Sequence, residues 1–271
     1  MSLKIQIFKY EATGNDFILF DNRKKVFPSE KLVENFLVRE LCSKENGFST
    51  DGVILLEDSH DCDFKMRTIN ADGTEVEMCG NGLRAICHFA YFEVRLGIKD
   101  LYRVETLNGV YNGFVEEDGA VKVQMTELFD IGSKDLSRFD EFSFGFYLNT
   151  GVPHCIFEVQ DLESFDLQKW GEIIRRDPLF PEGCNVNFYE KKGEALVDLR
   201  TFERGVEGET LSCGTGATAT AIALSKRYGW EDEVSVVMKG GYLTIQFTKE
   251  YKDVFLCGEV KKILSCSYEI K

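Results

Sequence analysis

The chain repeats itself, and that repeat limits its fold more than any local motif does. With Thr13-Gly14 laid on Thr150-Gly151, the same events follow in the same order. An apolar run comes first, Phe17-Ile18-Leu19-Phe20 in one copy and Cys155-Ile156-Phe157 in the other. Ser29 and Asp166 then stand where a helix N-cap is expected. They precede Leu32, Val33, Phe36 and Leu37 in the first copy and Trp170, Ile173 and Ile174 in the second. Asp51-Gly52-Val53-Ile54 faces Asn185-Val186-Asn187-Phe188, and Met66-Arg67-Thr68-Ile69-Asn70 faces Leu199-Arg200-Thr201-Phe202-Glu203. Last, Cys79-Gly80-Asn81-Gly82 faces Cys213-Gly214-Thr215-Gly216. A period of about 137 residues is too long for a solenoid and marks a duplicated domain.

Each copy reads as short strands, one early helix, more strands, and a helix that starts at a cysteine. After Cys79, the apolar positions Leu83, Ile86, Cys87, Ala90 and Val94 form a helical stripe that stops near Gly97. After Cys213, the run Ala217 to Leu224 is apolar or small on every face, which predicts a helix buried all round and ending near Gly229. The alternation in Val234-Ser235-Val236 and from Tyr242 to Phe247 reads as strand. The expected fold class is α+β, with two pseudo-symmetric lobes, each a mostly antiparallel β structure wrapped around a central helix. The expected lobes are residues 1–118 with 264–271, and residues 119–263.

Of 271 residues, 32 are basic and 46 acidic, a net charge of −14. Non-specific nucleic-acid binding needs a basic footprint, so no nucleic-acid partner is expected. With 44% hydrophobic residues the chain can bury a sizeable core. The segment Met1 to Gln6 lacks the apolar run of a signal peptide, and Leu211 to Ser225 is too short and too rich in Gly and Thr to span a membrane. The expectation is a cytoplasmic protein with no membrane partner. Nine cysteines in such a chain read as reduced thiols. None forms a Cys-x-x-Cys pair and the histidines His60, His88 and His154 are scattered, so no metal site is expected.

The repeated Cys-Gly-x-Gly carries the chemistry. A cysteine ahead of a helix feels the positive end of the helix dipole, which favours thiolate. The glycines let backbone N–H groups approach an anion such as a substrate carboxylate. Neither copy has the Gly-Lys-Ser/Thr of a P-loop or a complete Gly-x-Gly-x-x-Gly. Two activated sulfurs suit an epimerase or racemase, which takes a proton from one face of a carbon and delivers one to the other. The remaining seven cysteines read as small buried hydrophobes.

These residues resemble one family closely. Thr13-Gly14-Asn15-Asp16-Phe17, Asn70-Ala71-Asp72-Gly73-Thr74-Glu75, Met78-Cys79-Gly80-Asn81-Gly82-Leu83-Arg84 and Thr150-Gly151-Val152-Pro153-His154 look like the diaminopimelate epimerases. So do Phe180 to Asn187, Phe202-Glu203-Arg204-Gly205-Val206, and Glu209 to Gly216. The resemblance implies a cofactor-independent enzyme interconverting LL- and meso-2,6-diaminopimelate, on the route to lysine and peptidoglycan, in a two-lobed fold whose last strand returns to the first lobe, and a homodimer. It implies Cys79 and Cys213 as the two bases, with His154 and Glu203 tuning them. Gly80-Asn81 and Gly214-Thr215 would hold the reacting carboxylate, and Asn15, Asn70, Asn185, Glu203 and Arg204 would hold the rest of the substrate. Two positions depart from the pattern: Val152 stands where many members carry asparagine, and Gly52 where some use glutamine. The rivals are two-thiol relatives acting on histidine or hydroxyproline, or a non-catalytic amino-acid-binding protein of the same fold. Proline-type enzymes typically show Cys-Gly-His where this chain has Cys79-Gly80-Asn81, and PhzF-like isomerases do not keep both cysteines.

Overall fold

Thr13 and Gly14 both adopt positive φ, 48° and 83°, the backbone of a two-residue hairpin turn whose twist matches the strands it joins. The computed structural model describes residues 3–45, 47–97 and 101–270, and in it this turn opens the first of two compact units. One unit is Met1–Val123 with Gly258–Lys271, the other Gln124–Cys257. Across the turn, β1 (Leu3–Ala12) pairs antiparallel with β2 (Asn15–Asp21). Helix α1 (Lys31–Cys42) then crosses to β3 (Gly52–Glu57), parallel to β2. β4 (Phe64–Asn70) returns antiparallel to β3, and the short β5 (Glu75–Val76) pairs with β4. Helix α2 (Gly80–Phe89), prolonged by a π-helical turn over Ala90–Val94, crosses to β6 (Leu101–Thr106), parallel to β4. β7 (Gly109–Val115) and β8 (Val121–Gln124) add antiparallel steps.

The second unit repeats this order. β9 (Gly145–Asn149) and β10 (Pro153–Glu158) are antiparallel, and α3 (Leu167–Arg175) crosses to β11 (Asn185–Gly193), parallel to β10. β12 (Leu196–Glu203) is antiparallel to β11 and carries the short β13 (Gly208–Thr210). Helix α4 (Gly214–Tyr228) crosses to β14 (Glu233–Met238), parallel to β12, and β15 (Gly241–Phe247) is antiparallel to β14. β16 (Val254–Gly258) follows, and β17 (Lys261–Ile270) pairs antiparallel with β1 in the first unit. Each unit is thus a mostly antiparallel α+β structure, and each of its helices makes the crossover between two parallel strands.

The duplication extends to side chains. Arg67 forks onto Glu75 with Nε–Oε1 at 2.8 Å, and Arg200 forks onto Glu209 with the same atoms at 2.7 Å. The ladders also correct the sequence match by one residue. Phe17 lies beside Gly52 and Ile54 opposite Thr68, while His154 lies beside Asn185 and Asn187 opposite Thr201. The counterpart of Asn185 is therefore Gly52, not Asp51. Gly52 also has a packing role, because a Cβ there would meet the Ile69 carbonyl oxygen at 2.5 Å.

The central helices behave as their sequences require. α2 contacts β1, β2, β3, β4 and β7, and α4 contacts β9, β10, β11, β14 and β15. Every residue of α4 from Gly216 to Ser225 is buried. Its threonines pay their desolvation by donating back to carbonyls one turn earlier, Thr218 to Gly214 at 2.9 Å and Thr220 to Gly216 at 2.8 Å. Gly229, at φ 71°, ends α4 with its N–H on the Ser225 carbonyl. Asp166 caps α3, accepting from the Lys169 N–H at 3.1 Å.

α1 differs from its expectation. Its N-cap is Glu30, whose side chain makes no cap bond, and Ser29 lies outside. Leu32 and Phe36 are 79% and 70% exposed. The helix instead buries Glu34, Leu37, Val38, Leu41 and Cys42, because Glu34 turns inward to meet Arg67 at 3.1 Å. Among the described residues, no helix is long and apolar enough to cross a membrane.

In α3, a Cβ on Gly171 would come within 2.4 Å of Cγ of the fully buried Phe202. Gly171→Ala should therefore lower the unfolding free energy by about 1–3 kcal/mol, although alanine is the better helix former. Urea denaturation checks this; an unchanged midpoint would show that Phe202 is not pinned there.

Candidate active site

Both helices that follow the Cys-Gly-x-Gly motifs begin on the cysteine itself. Cys79 caps α2 with φ −138° and ψ 115°, and Cys213 caps α4 with φ −134° and ψ 102°. The cysteine carbonyls accept the first helical N–H groups, from Leu83 at 2.8 Å and Ala217 at 2.9 Å. The two sulfurs therefore stand at helix N-termini in one shared backbone conformation. There the unpaired N–H groups and the dipole favour negative charge. Cys79 Sγ accepts from the Gly82 N–H at 3.4 Å, and Cys213 Sγ lies 3.4 Å from the Thr215 hydroxyl.

In the first unit the polar residues form a chain whose polarity is set at both ends. Arg84, fully buried, donates to Asn81 Oδ1 at 2.7 Å, to the Thr13 hydroxyl at 3.0 Å and to the Glu259 carbonyl at 3.1 Å. With its oxygen taken, Asn81 turns its Nδ2 to Asn15 Oδ1 at 2.8 Å, and Asn15 Nδ2 donates to Asp51 Oδ2 at 3.1 Å. A guanidinium only donates and a carboxylate only accepts, so the orientation of both amides follows. Asn70 stands outside this chain, with its Nδ2 on the Thr74 hydroxyl at 3.3 Å. Gly80 and Asn81 supply the N–H groups of the first helical turn.

The second unit is built differently. His154 is fully buried at the start of β10, with Asn187 Nδ2 3.0 Å from Nδ1 and Asn185 Nδ2 3.5 Å from Nε2. Asn185 Oδ1 accepts from the Arg204 backbone N–H at 2.8 Å, while the Arg204 guanidinium donates to the Glu182 carbonyl at 3.2 Å. Burial, helped by the Arg204 charge, pushes the His154 pKa down to about 3, so the ring is neutral. Burial likewise raises the Glu203 carboxyl, and the Thr210 and Cys213 side chains beside it pull it part of the way back. Glu203 thus lies within reach of the Cys213 thiol, and Gly214 and Thr215 begin the helix above it. At Val152, the departure from the family pattern, the backbone carbonyl accepts from the Thr150 N–H at 3.1 Å.

Sequence reasoning overlooked Arg84, Asp51, Asn187 and Thr201. Asn187 left a signal, being polar where its counterpart Ile54 is apolar, but only the ladder register aligns those two positions. Among the described residues, no group of three or more His, Cys, Asp and Glu side chains is arranged to hold a metal ion.

The chain matches the model of a family described as diaminopimelate epimerase over residues 7–129 and 146–263. It belongs to the diaminopimelate epimerase family. The diaminopimelate epimerase of Aquifex aeolicus is 42% identical over 270 residues, covering 96% of each chain. That of Flavobacterium psychrophilum is 37% identical, covering 94% of this chain and 96% of the relative. Among solved structures, a PhzF-family phenazine biosynthesis protein from Bacillus anthracis superposes with a TM-score of 0.75 at 16% identity, covering 99% of both chains. A hydroxyproline epimerase from Agrobacterium vitis gives 0.67 at 13%, covering 98% of this chain and 93% of that one. At such identities these structures share the fold alone.

The neutral His154 has a consequence for stability. Its folded pKa lies below the unfolded value near 6.5, so below that pH the unfolded chain binds a proton that the folded chain refuses. The fold therefore keeps its full stability above pH 6.5 and loses it as pH falls, by about 2 kcal/mol between pH 7 and pH 5 from this group. Urea unfolding at the two pH values should show that loss in the parent protein and a correspondingly smaller one in His154→Gln. Equal losses in both would mean that His154 takes up its proton in the folded state.

Proposed function

We propose that this chain is a cofactor-independent isomerase that interconverts LL- and meso-2,6-diaminopimelate, with Cys79 and Cys213 as its paired acid–base groups. The observation that carries the reading is the duplicated cap: two cysteines start two helices in the same backbone conformation, in a chain of the diaminopimelate epimerase family. One sulfur, as thiolate, takes the α-proton from one face of the substrate carbon. The other, as thiol, gives its proton to the opposite face, and the two have then exchanged protonation states. The reverse reaction runs with the roles swapped.

The carbanion-like transition state places charge on the reacting carboxylate. The N–H groups of Gly80-Asn81 and Gly214-Thr215, at the positive ends of α2 and α4, would meet that charge. Asn81 is already oriented by Arg84. The second amino-acid head of the substrate carries a carboxylate suited to the Arg204 guanidinium, and Asn15, Asn70 and Asn185 supply amide contacts. Glu203, beside Cys213, and His154 adjust the acidity of the site. The same reading makes the protein a cytoplasmic homodimer.

Proton NMR of meso-diaminopimelate in deuterated buffer, with reductant and no added cofactor, tests this. The α-proton signal should fade as the LL isomer appears, while histidine and trans-4-hydroxyproline stay unchanged. Cys79→Ala and Cys213→Ala should each slow epimerisation by about 10²–10⁴-fold or more. Near-normal turnover by either variant would sink the two-thiol mechanism, and exchange confined to another amino acid would reassign the substrate.

A further inference from the structure

Asn187 lies within the family-like motif, yet the resemblance gives it no role. Its side chain is fully buried in the second unit, and its contacts fix which way its amide points. Nδ2 donates to the Cys155 carbonyl at 2.9 Å, and Oδ1 accepts from the Thr201 hydroxyl at 3.0 Å. A backbone carbonyl only accepts, so a reversed amide would set two oxygens 2.9 Å apart. The second amide hydrogen is then aimed at His154 Nδ1, 3.0 Å away, which has to be bare to accept it.

A neutral imidazole carries one proton, and that proton is therefore on Nε2. The neighbour there is Asn185 Nδ2 at 3.5 Å, itself a donor because Asn185 Oδ1 is held by the Arg204 N–H. The opposite tautomer would aim Nδ1–H at an NH₂ group and exchange a 3.0 Å bond for a 3.5 Å contact, beyond good hydrogen-bond geometry. From these contacts we infer that Asn187 is a positioning residue that locks His154 as the Nε2–H tautomer. The ring is thereby a hydrogen-bond donor on its Asn185 side, and not a base. A ring in this state is suited to donate to an anion and takes no proton from the substrate. This role rests on the proposed function, in which His154 serves the thiol site.

The duplication supplies an independent observation. In the first unit the positions of His154 and Asn187 hold Phe17 and Ile54, with Thr68 in the place of Thr201. The matched helix glycines face the same slot: a Cβ on Gly82 would meet Ile54 Cδ1 at 2.9 Å, and one on Gly216 would meet Asn187 Oδ1 at 2.4 Å. One fold therefore accepts an apolar residue here at no polar cost. A buried amide is costly unless fully bonded, and the second unit carries it where the neighbour is a histidine.

Two-bond proton–nitrogen correlation NMR on the intact ¹⁵N-labelled protein at neutral pH reads the tautomer directly. His60→Gln and His88→Gln identify the other two ring patterns. The expected spectrum shows the His154 proton on Nε2 and a pyridine-like Nδ1. In Asn187→Asp, whose carboxylate accepts where the amide donated, the proton should move to Nδ1. In Asn187→Ala the two tautomers should mix, and kcat for epimerisation should fall by roughly tenfold to a hundredfold with a smaller change in KM. Should Asn187→Asp not fold, Asn187→Leu, which removes the donor and puts an apolar side chain where the first unit has Ile54, should also mix the tautomers. A parent protein with Nδ1–H, or an Nε2–H pattern that survives all of these substitutions, overturns the inference. An Nε2–H ring in a protein that exchanges no diaminopimelate upholds the tautomer lock and overturns the proposed function instead.

Discussion

The first turn of an α-helix carries N–H groups that no earlier carbonyl can accept, and in both units that turn begins on a cysteine. A serine or aspartate cap would fill the turn with its own oxygen and stabilise the helix by about 0.5–2 kcal/mol. Sulfur is a weak acceptor, and Cys79 reaches the Gly82 N–H only at 3.4 Å. A helix capped this way needs support from elsewhere. For α4 it comes from ten consecutive buried residues, Gly216 to Ser225, packed against five strands. The sheet around each helix is what lets its N-terminus remain suited to an anion. The crossovers, the ladder register and the small residues Gly82 and Gly216 all serve that placement.

What could be read from the sequence follows from how local each determinant is. Asp166 is legible as a cap because its partner, the Lys169 N–H, is three residues away. The cysteine helices are legible because the repeat shows the same motif twice. The face of α1 is not. Leu32, Val33 and Phe36 look like a core stripe, but the helix is rotated by a buried ion pair whose other member, Arg67, lies on β4. Arg84 was hidden for the same reason: its partners Thr13 and Glu259 come from the two ends of the chain. Asp51 sets the far end of the Asn15 chain from a loop position that nothing in the local pattern distinguishes.

The duplicated scaffold is not a duplicated environment. Five residues beyond Cys79 stands the fully buried Arg84, a permanent positive charge bonded into the start of α2. Five residues beyond Cys213 stands Thr218, whose hydroxyl is spent on the helix backbone. Beside Cys213, in turn, is the Glu203 carboxyl, where the matching position of the first unit holds the neutral Asn70. His154 and Asn187 replace Phe17 and Ile54. The polar surroundings of the two helix starts therefore differ in kind, although their backbones agree closely.

The two-base chemistry proposed for Cys79 and Cys213 depends first on the agreement. The sulfurs have to be alike in position, so that either can address the same carbon from its own side. They also have to share one proton: the first thiolate disfavours ionisation of the second, so the pair rests as one thiolate and one thiol, and either sulfur can be the base. Unequal surroundings then bias which sulfur holds that proton at rest. A permanent cation bonded to Asn81 in the first turn of α2 and a titratable carboxyl beside Cys213 make the two surroundings unequal without moving either helix. His154, neutral and held as a donor by Asn187, adds to that inequality in the second unit without offering a third base. Gene duplication accounts for the likeness of the two helix starts, and a handful of buried substitutions accounts for their unequal surroundings.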